Sequence, residues 1–379
     1  MRTLNIMNLY ILLIIYWIFI ASTAIQIIYF WGIFSRFAFK KKKKKLLKEK
    51  QGVSVIICAK NEYYNLKNNL TAFLQQDYPN FEVIVVNDAS EDETYSLLKT
   101  FSIKYSNLKV VNIDKNLNFF SGKKFPLSIG IKSAKNEIVL LSDADCRPSS
   151  AKWISNIASH FNNDNTEIVL GYGKYEERKG LLNKLIRYET LQTAMQYFSY
   201  ALMGLPYMGV GRNLAYKKEL FFKNRGFTAH YNVNSGDDDL FINAVANRKN
   251  TKIEFDESSH TISVPKTSFF DWITQKKRHL STSKYYQPKH KLLLGLYSLT
   301  QFLFYLSFII LLINKYFIII VLPVFAFRII SQLIINYKCS LILKERKFLL
   351  YSPIFEVFLI VLYPVIYIFS MILKKDKWK

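Results

Sequence analysis

Two carboxylates, Asp143 and Asp145, stand two residues apart directly after the apolar run Ile138 to Leu141. The run reads as a short buried strand, and Pro148 ends any continuation of it. Ligands of open α/β sheets bind beyond the carboxyl ends of the strands, so both aspartates are expected where chemistry takes place. A hard divalent cation takes oxygen ligands, and Mg2+ or Mn2+ is commonly held by one or two carboxylates together with phosphate oxygens. The pair therefore predicts a metal–diphosphate site. Alone, an Asp-x-Asp pair is also an ordinary polar turn, so the surrounding elements must decide between the two.

Those elements alternate from Gly52 onward. Val53 to Cys58 reads as a strand, and Asn61-Glu62 opens a helix to about Gln76. Phe81 to Val86 is a second strand ending in Asn87-Asp88-Ala89-Ser90, and Ser90 with Glu93 has the spacing of a capping box. Lys109 to Ile113 is a third strand, Lys123 to Ala134 a helix, and Ile138 to Leu141 the fourth strand. This order predicts an α/β fold with a mostly parallel, doubly wound sheet. Lys60-Asn61-Glu62, Asn87-Asp88 and Asp143-Ala144-Asp145 then converge along one sheet edge. The first strand lacks a following G-x-G-x-x-G, which speaks against a dinucleotide fold, and no G-x-x-x-x-G-K-[ST] occurs.

Composition separates this middle from the ends. Of 379 residues 50% are hydrophobic and 16% aromatic, with a formal charge of +24, and the apolar content gathers at both ends. Residues 8 to 35 are nearly uncharged and long enough to span a bilayer; too long for a cleaved leader, they lack a basic start beyond Arg2. Lys40 to Lys45 follow at once, which predicts anionic lipid rather than nucleic acid as the basic run's partner, and a cytoplasmic domain after it. Three more apolar segments lie at about 292 to 313, 316 to 336 and 350 to 373. The first two form a hairpin through Asn314-Lys315, returning Lys338, Lys344, Arg346 and Lys347 to the cytoplasmic side. Four full spans would put the tail Lys374 to Lys379 outside, against the positive-inside rule, unless one segment is re-entrant or interfacial. Arg328 is costly in lipid and is expected to snorkel or to face protein. Cys58, Cys146 and Cys339 have no metal-ligand or disulfide spacing, as fits a reducing compartment. The chain is thus divided into a membrane helix (1–36), a basic linker (37–51), a catalytic domain (52–265), an interfacial segment (266–290) and membrane helices (291–379).

Taken together, the middle resembles the inverting family 2 glycosyltransferases of GT-A fold, in their membrane-anchored bacterial form. Ala59-Lys60-Asn61-Glu62 is similar to the turn after their first strand. Val86-Asn87-Asp88-Ala89-Ser90-Glu91-Asp92-Glu93-Thr94 resembles V-D-D-x-S-x-D-x-T, with Asn87 in place of the first Asp. Gly122 to Ile131 resembles G-K-x-x-A-L-x-x-G-I, and Asp143 to Pro148 resembles D-A-D-x-x-P. Met208 to Tyr216 is similar to the glycine-containing segment on the acceptor side, and Gly236-Asp237-Asp238-Asp239-Leu240 to an acidic E-D-x-x-L motif. Gln275-Lys276-Lys277-Arg278-His279 resembles Q-x-x-R-W with His279 in place of Trp. The likeness covers about residues 52 to 285.

The resemblance implies transfer of a sugar from a nucleotide-diphosphate donor, a UDP-sugar above all, to a lipid-linked or polysaccharide acceptor, as in cell-envelope polysaccharide assembly at the cytoplasmic membrane. Ala59, Asn61, Glu62 and Asp88 are then expected at the donor's base and ribose. Lys123 or Lys124, and Arg278 from the far side, are expected at its phosphates. Asp145 is the expected metal ligand, and Asp143 binds metal, ribose or both. Gln275 and Arg278 belong to the catalytic set, Gly211, Arg212 and Asp237 to the acceptor side. Asp238 takes the general-base position, where crowding among three aspartates favours a raised pKa. Leu182 to Leu202 presents an apolar face best read as core. Thr267 to Tyr286, with Trp272 and Lys276, reads as an interfacial helix. Rival readings are a processive polysaccharide synthase, against which His279 and the few membrane segments weigh, and a non-catalytic assembly subunit that keeps the fold.

Overall fold

The structure, a computed structural model, describes residues 2–42, 51–114, 122–163, 165–233, 235–345 and 349–372. Lys43 to Lys45, Arg346, Lys347 and the tail from Lys374 lie outside the described residues. Among the described residues ten strands form two sheets. β1 (Val53–Ala59), β2 (Phe81–Asp88), β3 (Leu108–Ile113) and β4 (Ile138–Asp143) run parallel in the order β3-β2-β1-β4. β5 (Cys146–Pro148), β6 (Ile168–Leu170), β7 (Gly173–Tyr175), β8 (Leu214–Lys217), β9 (Thr251–Ile253) and β10 (Thr261–Ser263) follow in the chain. β8 joins β4 antiparallel and carries β6 and β9 beyond it, giving β3-β2-β1-β4-β8-β6-β9. β5, β10 and β7 make a small second sheet. Pro148 closes β5, one strand later than the chain order suggests, and β4 runs on through Ser142 to Asp143.

β1 and β4 are continuous apolar runs because both their faces are covered. Helix Lys124–Ser133 lies close on one face: a Cβ at Gly130 would come 2.6 Å from Ile56 Cγ2. The longest soluble-domain helix, Leu181–Met203, is buried nearly all round, as its apolar face predicts, and stops at Gly204 in the left-handed region.

Three described helices are long and apolar enough to cross a membrane: Met7–Ala38, Pro288–Ile313 and Ile318–Ile342. The expected fourth segment forms helix Ser352–Ile372, of which Ser352–Ile368 is a shorter apolar stretch. It packs on the α/β domain: Phe355 meets Tyr188 at 5.6 Å between ring centroids, and Tyr363 donates to Glu189 at 3.0 Å. Arg328 faces protein rather than snorkelling. Wholly buried, it donates to both Glu356 oxygens (2.9 and 2.8 Å), to Gln332 Oε1 (2.6 Å) and to Gln26 Oε1 (2.9 Å). A second buried pair, Arg187–Glu345 at 2.7 Å, ties the chain just after the apolar helix Ile318–Ile342 to helix Leu181–Met203, and a third, Lys276–Glu189, ties helix Phe269–Leu280 to the same helix. Lys276 is thus buried, not at an interface with lipid, and Lys42 of the basic run meets Asp256 of the α/β domain.

Candidate active site

The carboxyl ends of β1 and β2 are stitched together. Asn61, in the left-handed region at φ 57°, accepts from Glu91 N–H at 2.8 Å, and its own N–H donates to Ser90 Oγ at 2.9 Å. Glu62 N–H donates to Thr94 Oγ1 and Tyr63 N–H to Asp92. Ser90 is consequently spent on the β1 turn and forms no capping box; helix Thr94–Lys104 starts later, with Asp92 accepting Thr94 N–H at 3.0 Å. Asn87 donates to Asn112 of β3 at 3.0 Å, a sideways bond between amides that accounts for the departure from the motif. Asp88 ends β2 fully buried, and Ala59 ends β1 buried beside it.

Asp143 ends β4, and Lys123, just ahead of the Lys124–Ser133 helix, donates to it. The same ammonium lies 3.8 Å from Asp237. Burial opposes the Lys123 charge, but Asp143 and Asp237 outweigh it and hold its pKa well above the ordinary lysine value. Likewise Lys123 overcomes burial at Asp143 and keeps that carboxyl below its usual range. At Asp145 burial and Asp143 outweigh Arg212 and Lys123 and push its pKa up. Ligand atoms of Asp143, Asp145 and Cys146 all lie within 4.8 Å of one another. Cys146 is held as a thiol: burial and the two aspartates raise its pKa far, and Sγ sits 2.9 Å from Ser263 Oγ. Two oxygen donors beside an inert thiol fit a hard cation that completes its shell with phosphate oxygens. Burial, Asp145 and Asp143 also raise Glu62, which places the β1 turn against this cluster. Lys124 sits elsewhere, donating to the carbonyls of His230 (2.6 Å) and Val233 (3.0 Å).

Antiparallel insertion of β8 brings its amino end to the carboxyl end of β4, so Gly211 and Arg212 reach the same edge; Ser142 Oγ donates to Arg212 C=O at 3.2 Å. Gly211 N–H donates to Asp238 Oδ2 at 2.6 Å, and an added Cβ would come 3.2 Å from that oxygen. Asp238 Oδ1 accepts Asp239 N–H at the start of helix Asp239–Val245. Burial first, then Asp237 and Asp239, push Asp238 up to about 7. The three aspartates face different ways. Asp237 turns to Lys123, Asp238 to Gly211, and buried Asp239 accepts from Thr282 and Tyr286.

Helix Phe269–Leu280 carries the last motif. Gln275 Nε2 donates to Tyr175 OH at 3.3 Å, and the Arg212 guanidinium lies over the same ring at 4.5 Å while donating to Gly173 C=O. Arg278 is exposed, yet with Lys123 and Arg212 its charge is felt at Asp143. His279 is exposed next to it. The structure therefore gathers Glu62, Lys123, Asp143, Asp145, Gly211, Arg212, Asp237, Asp238, Gln275 and Arg278 around one edge, and sets Lys124 apart. Tyr175, Ser263, Thr282 and Glu189 were not singled out from sequence, and Tyr286 was read there only as part of the interfacial run. Only Glu189, a carboxylate inside a largely apolar helix, carried a signal there.

The profile described as Glycosyl transferase family 2 matches residues 54–223. "Probable glycosyltransferase YdaM" of Bacillus subtilis is 32% identical over 148 residues, 38% of this chain and 35% of that protein. The poly-beta-1,6-N-acetyl-D-glucosamine synthase of Staphylococcus epidermidis is 28% identical over 135 residues, 36% and 32% of the two chains. The match spans about a third of the length of these curated relatives. Among solved structures, the mannosyltransferase PcManGT from Pyrobaculum calidifontis, in complex with GDP-Man and Mn2+, is similar with a TM-score of 0.57 at 19% identity. That likeness covers 90% of this chain and 99% of the other, and shows the fold. The 52–265 domain thus has the GT-A fold, an α/β architecture with a mostly parallel central sheet, flanked by apolar helices. Residues 54–223, a little under half of the chain, match the family 2 glycosyltransferase profile, and the curated relatives it resembles bear the names of a glycosyltransferase and a polysaccharide synthase.

Proposed function

We propose that the protein is a membrane-bound, inverting, metal-dependent enzyme that moves a sugar from a nucleotide-diphosphate donor to a lipid-linked or polysaccharide acceptor. The observation that carries this reading is the meeting of Asp143, Asp145, Lys123 and the Asp237–Asp238 pair at one sheet edge. The GDP-Man and Mn2+ of the mannosyltransferase support the donor class and the cation; the synthase relative supports an envelope glycan as acceptor.

Asp143 and Asp145 would hold Mg2+ or Mn2+, which would supply positive charge against that growing on the leaving diphosphate. Lys123, set between Asp143 and Asp237, would donate to a phosphate oxygen, and exposed Arg278 would add a second cation to the diphosphate. Glu62, Asn61, Ala59 and buried Asp88 shape the pocket for base and ribose. Arg212 and Gly211 border the acceptor. Asp238 takes the proton of the acceptor hydroxyl as that oxygen attacks the anomeric carbon; each of its oxygens accepts one backbone N–H and keeps a lone pair. Attack opposite the leaving diphosphate inverts the anomeric centre.

A second reading gives the base to Asp237, because its carboxylate is the one drawn toward Lys123 and hence toward the donor. The apolar helices set this chemistry at a bilayer, and Lys40 to Lys42 favour the cytoplasmic face of the inner membrane. Release of nucleotide diphosphate from a panel of UDP- and GDP-sugars, with a lipid-phosphate acceptor and Mn2+, tests the proposal. Release from one donor supports it, and silence across the panel refutes it.

A further inference from the structure

The segment that carries Gln275 and Arg278 is anchored by buried side chains, Trp272 and Lys276 on the helix and Thr282 and Tyr286 after it. On helix Phe269–Leu280, Trp272 and Lys276 share one face, four residues apart, and both are buried. Gln275 and Arg278, three apart, share the neighbouring face, turned to the site. The rotation of this helix therefore decides whether Gln275 and Arg278 reach the cleft.

Lys276 sets that rotation. The residue is only 7% exposed, and its ammonium donates to Glu189, 6% exposed, in the middle of helix Leu181–Met203. The other Glu189 oxygen accepts from Tyr363 OH at 3.0 Å and from Thr193 Oγ1 at 3.2 Å. Tyr363 belongs to the apolar helix Ser352–Ile372, which also meets the motif helix through Phe358 and Phe269, 6.3 Å between ring centroids. A single buried carboxylate thus joins three helices, one of them apolar and peripheral. At the far end of the segment Thr282 and Tyr286 bind Asp239, beside the proposed base. Burying a charge is tolerated only where a partner and further hydrogen bonds meet it, and here every Glu189 oxygen has one.

We propose that Glu189 is a positioning residue: through Lys276 it holds Gln275 and Arg278 over the active site, and through Tyr363 it makes that placement depend on the seating of the 352–372 helix. The catalytic half of this proposal rests on the glycosyltransfer reading above. Mechanical coupling of this kind would let displacement of the apolar helix, by a lipid-borne substrate entering beneath it, withdraw or deliver Arg278.

The test uses the full chain in detergent with Mn2+, Glu189→Gln and Tyr363→Phe, each alone and combined with Arg278→Ala. Tyr363→Phe keeps the ring and serves if Glu189→Gln fails to fold. Two readouts are taken, amide hydrogen exchange over 269–280 and kcat for transfer. Expected are faster exchange across that helix in both variants, by about tenfold in Glu189→Gln, with Arg278→Ala unchanged. Glu189→Gln should also lower kcat by about tenfold or more, but by less than about twofold in the Arg278→Ala background, because residues acting through one group are not additive. A full, multiplicative loss in that background, or exchange over 269–280 that matches the parent, overturns the proposal. Should the parent transfer no sugar from any donor, the functional reading falls, and the exchange measurement still decides whether Glu189 holds the helix.

Discussion

Lys123 binds Asp143 at the end of β4 and at the same time lies 3.8 Å from Asp237, which arrives more than ninety residues later in the chain. One ammonium thus sits between the proposed metal ligand and the acidic triplet, and it marks where a diphosphate would enter. Lys123→Met should then cost donor grip more than fold. An increase in donor KM together with a fall in kcat of about a hundredfold is expected from losing a charge-assisted contact that strengthens in the transition state. Steady-state kinetics of both constants checks this. Lys124→Met, by contrast, releases the His230 and Val233 carbonyls and is expected to lower the melting temperature while leaving donor KM near the parent value.

Asp238, raised to about 7, gives transfer a pH profile. A base must be ionised, so kcat/KM should rise through neutrality and level off above about pH 8. The linkage runs the other way for stability. A carboxyl raised in the folded state is protonated there while ionised in the unfolded chain, so its contribution is lost as pH climbs from the ordinary carboxylate range through 7. Asp238→Asn should therefore abolish transfer, keep donor binding, and melt at or above the parent temperature at pH 8. If Asp237→Asn abolishes transfer and Asp238→Asn does not, the base is Asp237.

Arg328 and Glu356 form a wholly buried pair among the apolar helices, reinforced by Gln26, Gln332, Tyr305 and Gln301. Removing one partner strands the other charge, so Glu356→Ala should cost about 3–5 kcal/mol. Replacing both, as Arg328→Met with Glu356→Leu, should recover much of it. Thermal melts of the two variants in detergent distinguish a structural clasp from a charge kept for transport, since only the clasp tolerates the neutral pair.

Much of the catalytic domain could be read from the chain because its information is local. A run of apolar residues closed by Asp-x-Asp is a strand with carboxylates at its end, and the alternation of strands and helices put Asp88 and Asp143 on one edge. What could not be read depended on distant partners. Lys123 and Lys124 are neighbours of the same type, and only the packing of the 228–233 loop sends one to carbonyls and the other to carboxylates. Which oxygens of the acidic triplet are occupied depends on β8 inserting antiparallel beside β4. Lys276 looked like a headgroup-facing lysine because its partner, Glu189, is remote in sequence. The segment after residue 350 is as apolar as a span, but Glu356, Tyr363 and Phe355 bind it to the protein, and nothing in hydropathy distinguishes lipid from a protein surface.

The central claim is that Asp143 and Asp145 grip a diphosphate through a divalent cation. Calorimetric titration of the full chain with UDP and with GDP, in Mn2+ and then in excess chelator, tests it most directly. The account predicts binding of one nucleotide that weakens about tenfold or more in chelator, and to the same level in Asp145→Ala with Mn2+ present. Equal affinity with and without the cation, or an Asp145→Ala variant that still responds to it as the parent does, would contradict the account.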